Sequence, residues 1–304
     1  MNKKYRIADY IIEIEAPFAW RSGERFADFE EENNREADFI VHWTLVDVID
    51  DRPSEEYKIF ENQPSQYYLT GSTLMKYERV NVGREPYFCL QTNLRAEEGT
   101  GPVQLLCRGI GTEINLESAL GLFTHMELTM ILNLKRAFIM HSACICKGNR
   151  AILFSGRSGA GKSTQAELWE KLQGWTIING DRTGVRRIAG DWKAYGLPYA
   201  GTSGIYRNDS ASIQAIVFLE QAKECRIRRL DVTEAFKRML SETFVYSWIR
   251  ELQERILQEL ITLAGDIPVY LLACTPDEQA VQCLKEKMKE DGTADECTVS
   301  TSRT

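Results

Sequence analysis

No C-x-x-C pair, no basic block and no uninterrupted apolar run of membrane-spanning length occurs in the 304-residue chain. Its eight cysteines (Cys89, Cys107, Cys144, Cys146, Cys225, Cys274, Cys283 and Cys297) are too sparse for a disulfide scaffold. Their spacing indicates neither a zinc ribbon nor a thioredoxin-like site. With 37 basic against 44 acidic side chains the net charge is −7, which argues against nucleic acid or an anionic membrane as the main partner. The most apolar stretch, Leu116 to Leu134, is broken by Glu117, His125, Glu127 and Asn133 and reads as a buried helix rather than a span. Acidic residues follow soon after Met1, at Asp9, Glu13 and Glu15, leaving no signal-peptide core. The expectation is a cytoplasmic protein with reduced thiols.

What the chain does have is ordinary globular composition, 43% hydrophobic and 27% charged, which excludes a disordered or collagen-like protein. Its length allows two domains, and no internal repeat is visible. The first 110 residues read as strands at Tyr10–Ile14, Phe39–Val46, Tyr67–Thr70, Tyr87–Leu90 and Val103–Leu106, separated by turn-forming clusters. Short strands at this spacing predict an antiparallel sheet. Leu116, Leu120, Phe123, Leu128, Ile131 and Leu134 then recur at helical spacing behind Asn115 as a cap.

A hairpin follows, with strands over 137–146 and 150–155 around Lys147-Gly148-Asn149. Helix is predicted from Gln165 to Leu172. Strands are predicted over 175–178, 183–188, 192–195 and 213–219. Asp231-x-x-Glu234 reads as a capping box opening a helix toward Phe244. A further helix is expected over 246–264, a strand over 268–272, and a last helix capped by Thr275-Pro276-Asp277-Glu278 with proline in its first position. The expected organisation is α/β: a β-rich domain over 1–112, a P-loop domain with mixed sheet and C-terminal helices over 113–290, and a frayed tail over 291–304.

Chemistry concentrates in Gly156-Arg157-Ser158-Gly159-Ala160-Gly161-Lys162-Ser163-Thr164, which contains G-x-x-x-x-G-K-S in full. In such a loop, glycines let backbone amides turn toward nucleotide phosphates. Lys162 then reaches the outer phosphates, and Ser163 offers its hydroxyl to Mg²⁺. The apolar strand before it and the helix after it are the context the motif requires. Asp181 lies just past the next strand. It reads as a general base, as a metal ligand through water, or as a turn-forming residue of Asn-Gly-Asp-Arg.

His141 sits in the strand ahead of the loop, where a core histidine and a functional one look alike. His42 and His125 have no motif near them, and Cys144 and Cys146 share one face of an apolar strand. The segment Gly201 to Ser210 with Arg207 reads either as a substrate lid or as a plain solvated connection. Arg226 and Arg228 read as an anion contact or as a charged edge strand.

Phe138 to Ala143, Ala151 to Thr164, Gly174 to Asp181 and Tyr195-Gly196-Leu197-Pro198 together resemble the catalytic core of HPr kinase/phosphorylase, a fold related to phosphoenolpyruvate carboxykinase. The resemblance is looser through Ile213 to Glu220. It implies a site built from His141, Lys162, Ser163 and Asp181. Where that family has two adjacent aspartates this chain has Gly180-Asp181. The member retained is the one that acts as base by the family pattern. The family's Arg-Gly-rich signature, its metal-binding glutamate and its N-terminal domain have no counterpart here. The resemblance also implies a homo-oligomer.

The function expected is a kinase, an ATP-dependent phosphotransferase using ATP and Mg²⁺. Its acceptor hydroxyl would belong to a peptide or protein Ser/Thr or to a small metabolite. Lys162, His141 and Asp181 are the expected catalytic residues, with Ser163 and Asp181 toward the metal. One alternative is a nucleotide-binding regulatory protein without transfer activity. The other is an ordinary P-loop metabolite kinase with a mostly parallel sheet, against which the antiparallel hairpin speaks.

Overall fold

The computed structural model describes residues 1–33, 35–49, 52–79, 86–95, 101–108, 116–199, 201 and 203–293, with backbone alone at 101–104, 106 and 108. Asn115, Thr202, Cys297 and residues 294–304 of the expected tail lie outside the described residues. The chain divides into two compact units. The first comprises residues 1–138, 197–199 and 244–258; the second comprises 139–196, 200–243 and 259–304. The division thus falls at 138 rather than 112. The helical residues 119–134 join the first unit because their apolar side chains, Phe123 among them, pack on its aromatic residues Tyr5 and Phe26.

The first unit holds an eight-stranded sheet. Its strands are β1 (Asn2–Ile7), β2 (Tyr10–Glu15), β3 (Phe39–Val46), β4 (Lys58–Asn62), β5 (Ser65–Thr70), β6 (Thr73–Glu78), β7 (Phe88–Asn93) and β8 (Gly101–Arg108), in the order β1-β2-β3-β8-β7-β6-β5-β4. Five pairs are antiparallel, but β3 runs parallel to both neighbours, β2 and β8. The sheet is therefore mixed, not antiparallel as the strand spacing predicts. The long connection between β2 and β3, which includes helix α1 (Gly23–Ala27), gives the crossover that parallel neighbours need.

The single helix predicted over 116–134 is two, α2 (Ala119–His125) and α3 (Leu128–Leu134). Ser118 caps α2 by accepting from the Gly121 amide. Glu127 interrupts the run with a left-handed backbone, φ +53°. Its carboxylate is engaged by Lys76 at 2.5 Å, Tyr67 at 3.0 Å and Tyr246. These distant partners offset a conformation that costs a non-glycine residue about 1–3 kcal/mol.

The second unit is a mixed sheet with helices on it. Strands β9 (Phe138–Lys147), β10 (Arg150–Ser155), β11 (Thr176–Asn179), β12 (Arg182–Ile188), β13 (Asp191–Tyr195), β14 (Ser210–Gln221), β15 (Arg226–Arg229) and β16 (Val269–Cys274) follow the order β10-β9-β12-β13-β14-β16-β15, with β11 also on β9. The hairpin β9–β10 is antiparallel, while β14 runs parallel to both β10 and β16. Helices α4 (Lys162–Gln173), α5 (Val232–Ser241), α6 (Arg250–Asp266) and α7 (Glu278–Glu290) complete the chain; α6 spans the division at Gln258.

Period-two residues of the sheet, Ile152 and Phe154, Ala215, Val217 and Leu219, Tyr270 and Leu272, bury one face against Trp169 of α4 and Val281 and Leu284 of α7. Each large side chain so buried contributes about 1.5–3 kcal/mol. Two caps differ from expectation. Asp231 does accept from the Glu234 amide at 2.9 Å. Glu234, however, does not reach back, because Arg228 takes both its oxygens at 2.7 Å. Asp277 rather than Thr275 caps α7, leaving Pro276 outside the helix. Arg226 and Arg228 lie on β15, at the end of the sheet, as an edge strand.

Candidate functional site

The site is assembled by register. β9 and β10 pair so that Ser142 faces Ser155, which sets His141 beside the residue where β10 gives way to the glycine loop. Ser155 Oγ donates to the His141 carbonyl at 2.9 Å. On the other edge of β10, parallel β14 ends at Phe218 to Gln221, and Gln221 Nε2 donates to the Gly159 carbonyl at 2.9 Å. The loop therefore leaves the carboxyl end of a parallel strand pair, where ligand crevices of α/β sheets form.

Gly156 sits at φ +133°, and a Cβ there would press on the Leu219 carbonyl at 3.1 Å. A side chain there would be strained by the backbone conformation and tight against that carbonyl. Gly159 and Gly161 also take positive φ, and Gly161 is the N-cap of α4. Arg157 and Ser158 are exposed, Ala160 and Ser163 half-buried, and Thr164 exposed in the first turn of α4. The amides opening α4 have no partner within the helix. Lys162 is buried, with Nζ donating to the carbonyls of Gly156 at 2.8 Å and Arg157 at 3.3 Å. Burial pushes this ammonium down from the usual lysine range, and the negative charges of Glu242 and Asp181 oppose the shift.

Asp181 follows β11 in a turn built by another residue. Buried Asn179 accepts through Oδ1 from the amides of Asp181 at 2.9 Å and Arg182 at 2.8 Å. The turn-former of Asn-Gly-Asp-Arg is thus Asn179, and the Asp181 carboxylate is left for other work. Its Oδ1 lies 3.4 Å from His141 Nε2 and its Oδ2 lies 3.6 Å from Arg182 Nε. Ser142 donates its amide to the Asp181 carbonyl at 3.0 Å.

The opposite nitrogen of the ring, Nδ1, lies 2.9 Å from Glu242 Oε2. His141 is consequently no core histidine: its side chain is 39% exposed between two carboxylates. Among the described residues no group of three or more His, Cys, Asp or Glu side chains is arranged to hold a metal.

Beside the loop opens a cleft of about 1060 Å³. It is lined by Gly156 to Ala160, by Phe218 to Gln221, and by Glu234, Lys237, Arg238, Ser241 and Glu242. Arg238 is held by Glu220 and Glu234. The segment after β13 does not stand free: Tyr206 bridges to Asn179, and Arg207 Nε donates to the Ile177 carbonyl at 3.1 Å. A Cβ on Gly201 would lie 2.7 Å from Asp181 Oδ2, so the backbone there passes directly over the carboxylate. His42 pairs with Glu15 and His125 with Glu78, both within the first unit.

Of the residues singled out in the sequence, His141 and Asp181 meet, and Lys162 to Thr164 occupy the loop's exit into α4. Glu242 was missed; it stands 101 residues from His141, and nothing local in the sequence marks it.

The family model for the SynChlorMet cassette protein ScmC matches residues 122–282, more than half of the chain. The chain belongs to the ScmC family. The region shared with ScmC includes the loop, Asp181, His141 and Glu242. No curated protein matches the chain. A solved structure of the HPr(Ser) kinase/phosphatase from Coxiella burnetii is similar over 51% of this chain and 93% of its own, at 10% identity and a TM-score of 0.29. Among the described residues no helix is long and apolar enough to cross a membrane.

Proposed function

We propose that this ScmC-family protein is an ATP-dependent phosphotransferase acting on a hydroxyl group. The observation that carries the reading is one juxtaposition. A complete G-x-x-x-x-G-K-S loop leaves the β10–β14 pair beside a histidine and a carboxylate, His141 and Asp181, 3.4 Å apart. The triphosphate would lie on residues 156–164, with Lys162 leaving its two loop carbonyls for the outer phosphates. The acceptor oxygen bonds to the γ-phosphorus, the bridge to the β-phosphate breaks, and the acceptor's proton passes to Asp181. ADP leaves. Positioning and charge stabilisation are the protein's main work in such transfers.

Mg²⁺ keeps several waters and needs only one or two protein oxygens beside those of the phosphates. Ser163 and Asp181 are oxygen donors of that kind, and the ion would supply charge neutralisation for the phosphates. The acceptor is a peptide or protein Ser/Thr or a small hydroxylated metabolite, taken from the cleft beside the loop.

A second reading, nucleotide binding without transfer, is favoured by one observation: position 180 carries no carboxylate. The two separate by incubating the protein with γ-labelled MgATP and an extract of its own cells, split into macromolecular and small-molecule fractions. Label entering either fraction establishes transfer and names the acceptor class. Nucleotide binding with no label in either fraction supports the second reading.

A further inference from the structure

We propose that Glu242 is the positioning residue of this site: it fixes the His141 ring so that its Nε2 edge is turned to Asp181. The inference rests on the transfer reading above for its catalytic consequence, but its structural content stands alone. Glu242 holds His141 twice. Its backbone carbonyl accepts the His141 amide at 2.8 Å, and its carboxylate lies 2.9 Å from Nδ1. Both flanking carboxylates can only accept, so each is tied to the ring only through a nitrogen that carries its hydrogen. The next pair outward, Met140 and Thr243, forms an antiparallel bridge that locks the end of α5 onto β9.

The torsion that sets an imidazole's plane is soft and broad, so a ring free at Nδ1 does not keep one orientation. Donation from Nδ1 to a largely buried carboxylate, 12% exposed, removes that freedom. The ring then presents Nε2 to Asp181 Oδ1 at 3.4 Å, while Oδ2 lies 3.6 Å from Arg182 Nε. Glu242 also lines the cleft, so the same residue joins the cleft wall to the pair that handles the proton. It reaches Asp181 through the His141 ring.

The test compares Glu242→Ala, Glu242→Gln and Glu242→Leu with the unaltered protein, alone and in a His141→Asn background. Three quantities are measured: MgATP affinity by calorimetry, kcat and KM for the acceptor fraction that takes label, and the His141 ring orientation by crystallography. Glu242→Ala is expected to lower kcat about 100-fold, the size of a misplacement on the order of 1 Å. Glu242→Gln, whose amide oxygen still accepts, restores most of the rate. In the His141→Asn background Glu242→Ala costs nothing more. Glu242→Leu keeps the volume at the helix end and is expected to give the alanine result, because both variants lose the accepting carboxylate; wild-type behaviour of the leucine variant would assign the alanine effect to loosening of the helix end.

The crystal structure of the alanine or leucine variant is expected to show the ring turned away from Asp181. An unmoved ring overturns the inference whether or not the protein transfers phosphate. So does an unchanged kcat, or losses that multiply in the double variant. Absence of transfer by the unaltered protein defeats only the function proposed above, and the ring orientation then decides the role of Glu242.

Discussion

Ser203 fills the space that a side chain at position 180 would need. A Cβ built on Gly180 would overlap Ser203 Oγ and lie 2.7 Å from Ser203 Cβ. Position 180 therefore has no room for a side chain while Ser203 keeps its place. Gly180→Ala is expected to destabilise by about 1–3 kcal/mol, the usual cost of overpacking. Ser203→Gly should relieve most of that loss. Urea denaturation of the two single variants and the double variant checks this; additive losses would show that the two positions do not compete for one space.

Lys162 gives a second prediction. Its ammonium already sits in the loop, on the carbonyls of Gly156 and Arg157, so its transfer to a phosphate needs little rearrangement. A hydrogen bond to a charged group contributes about 1.5–3 kcal/mol. Lys162→Ala is accordingly expected to weaken MgATP binding about 10- to 100-fold by calorimetry, with the melting temperature little changed.

The ionic network of the first unit makes a prediction about acid. Glu78 is buried with Lys76 at 2.5 Å and His125 at 3.1 Å. Burial alone would raise its pKa, but the hydrogen bond from His125 and the Lys76 charge outweigh burial and hold it at about 2, against an ordinary 4.5. Between those values the unfolded chain binds the extra proton. The stabilisation is complete above about pH 4.5 and is lost as pH falls toward 2. Glu78→Gln should abolish this acid-dependent component. At neutral pH it should cost about 3 kcal/mol by stranding part of the buried Lys76 charge. Denaturation midpoints from pH 7 to pH 3 measure both.

The same network explains what the sequence concealed. Strand β6 carries Lys76 and Glu78, buried charges that break the apolar alternation, so it was not foreseen; β1 and β4, rich in polar residues, escaped for a similar reason. Phe39–Val46 was legible to the residue because its β-branched and aromatic run is continuous. The strand before the glycine loop and the helix after it were legible because an apolar run, a glycine cluster and a helix-forming run follow one another in the chain. The parallel pairing of β3 was not, since strand direction is set by a connection and not by strand composition. The break at Glu127 depends on Lys76, Tyr67 and Tyr246, none of them near it in the chain. Glu242 depends on a helix end returning to β9. Local motifs were readable; partners brought in by topology were not.

The measurement that bears most directly on the account is a single-turnover rate at saturating MgATP, compared between the unaltered protein and Asp181→Asn with the labelled acceptor fraction. The substitution keeps the shape of the side chain and the Asn179 turn but removes the base. The account predicts nucleotide affinity nearly unchanged and a rate lower by about 10²–10⁴-fold, the usual contribution of a positioned general base. Equal rates in the two proteins at equal nucleotide occupancy would contradict it.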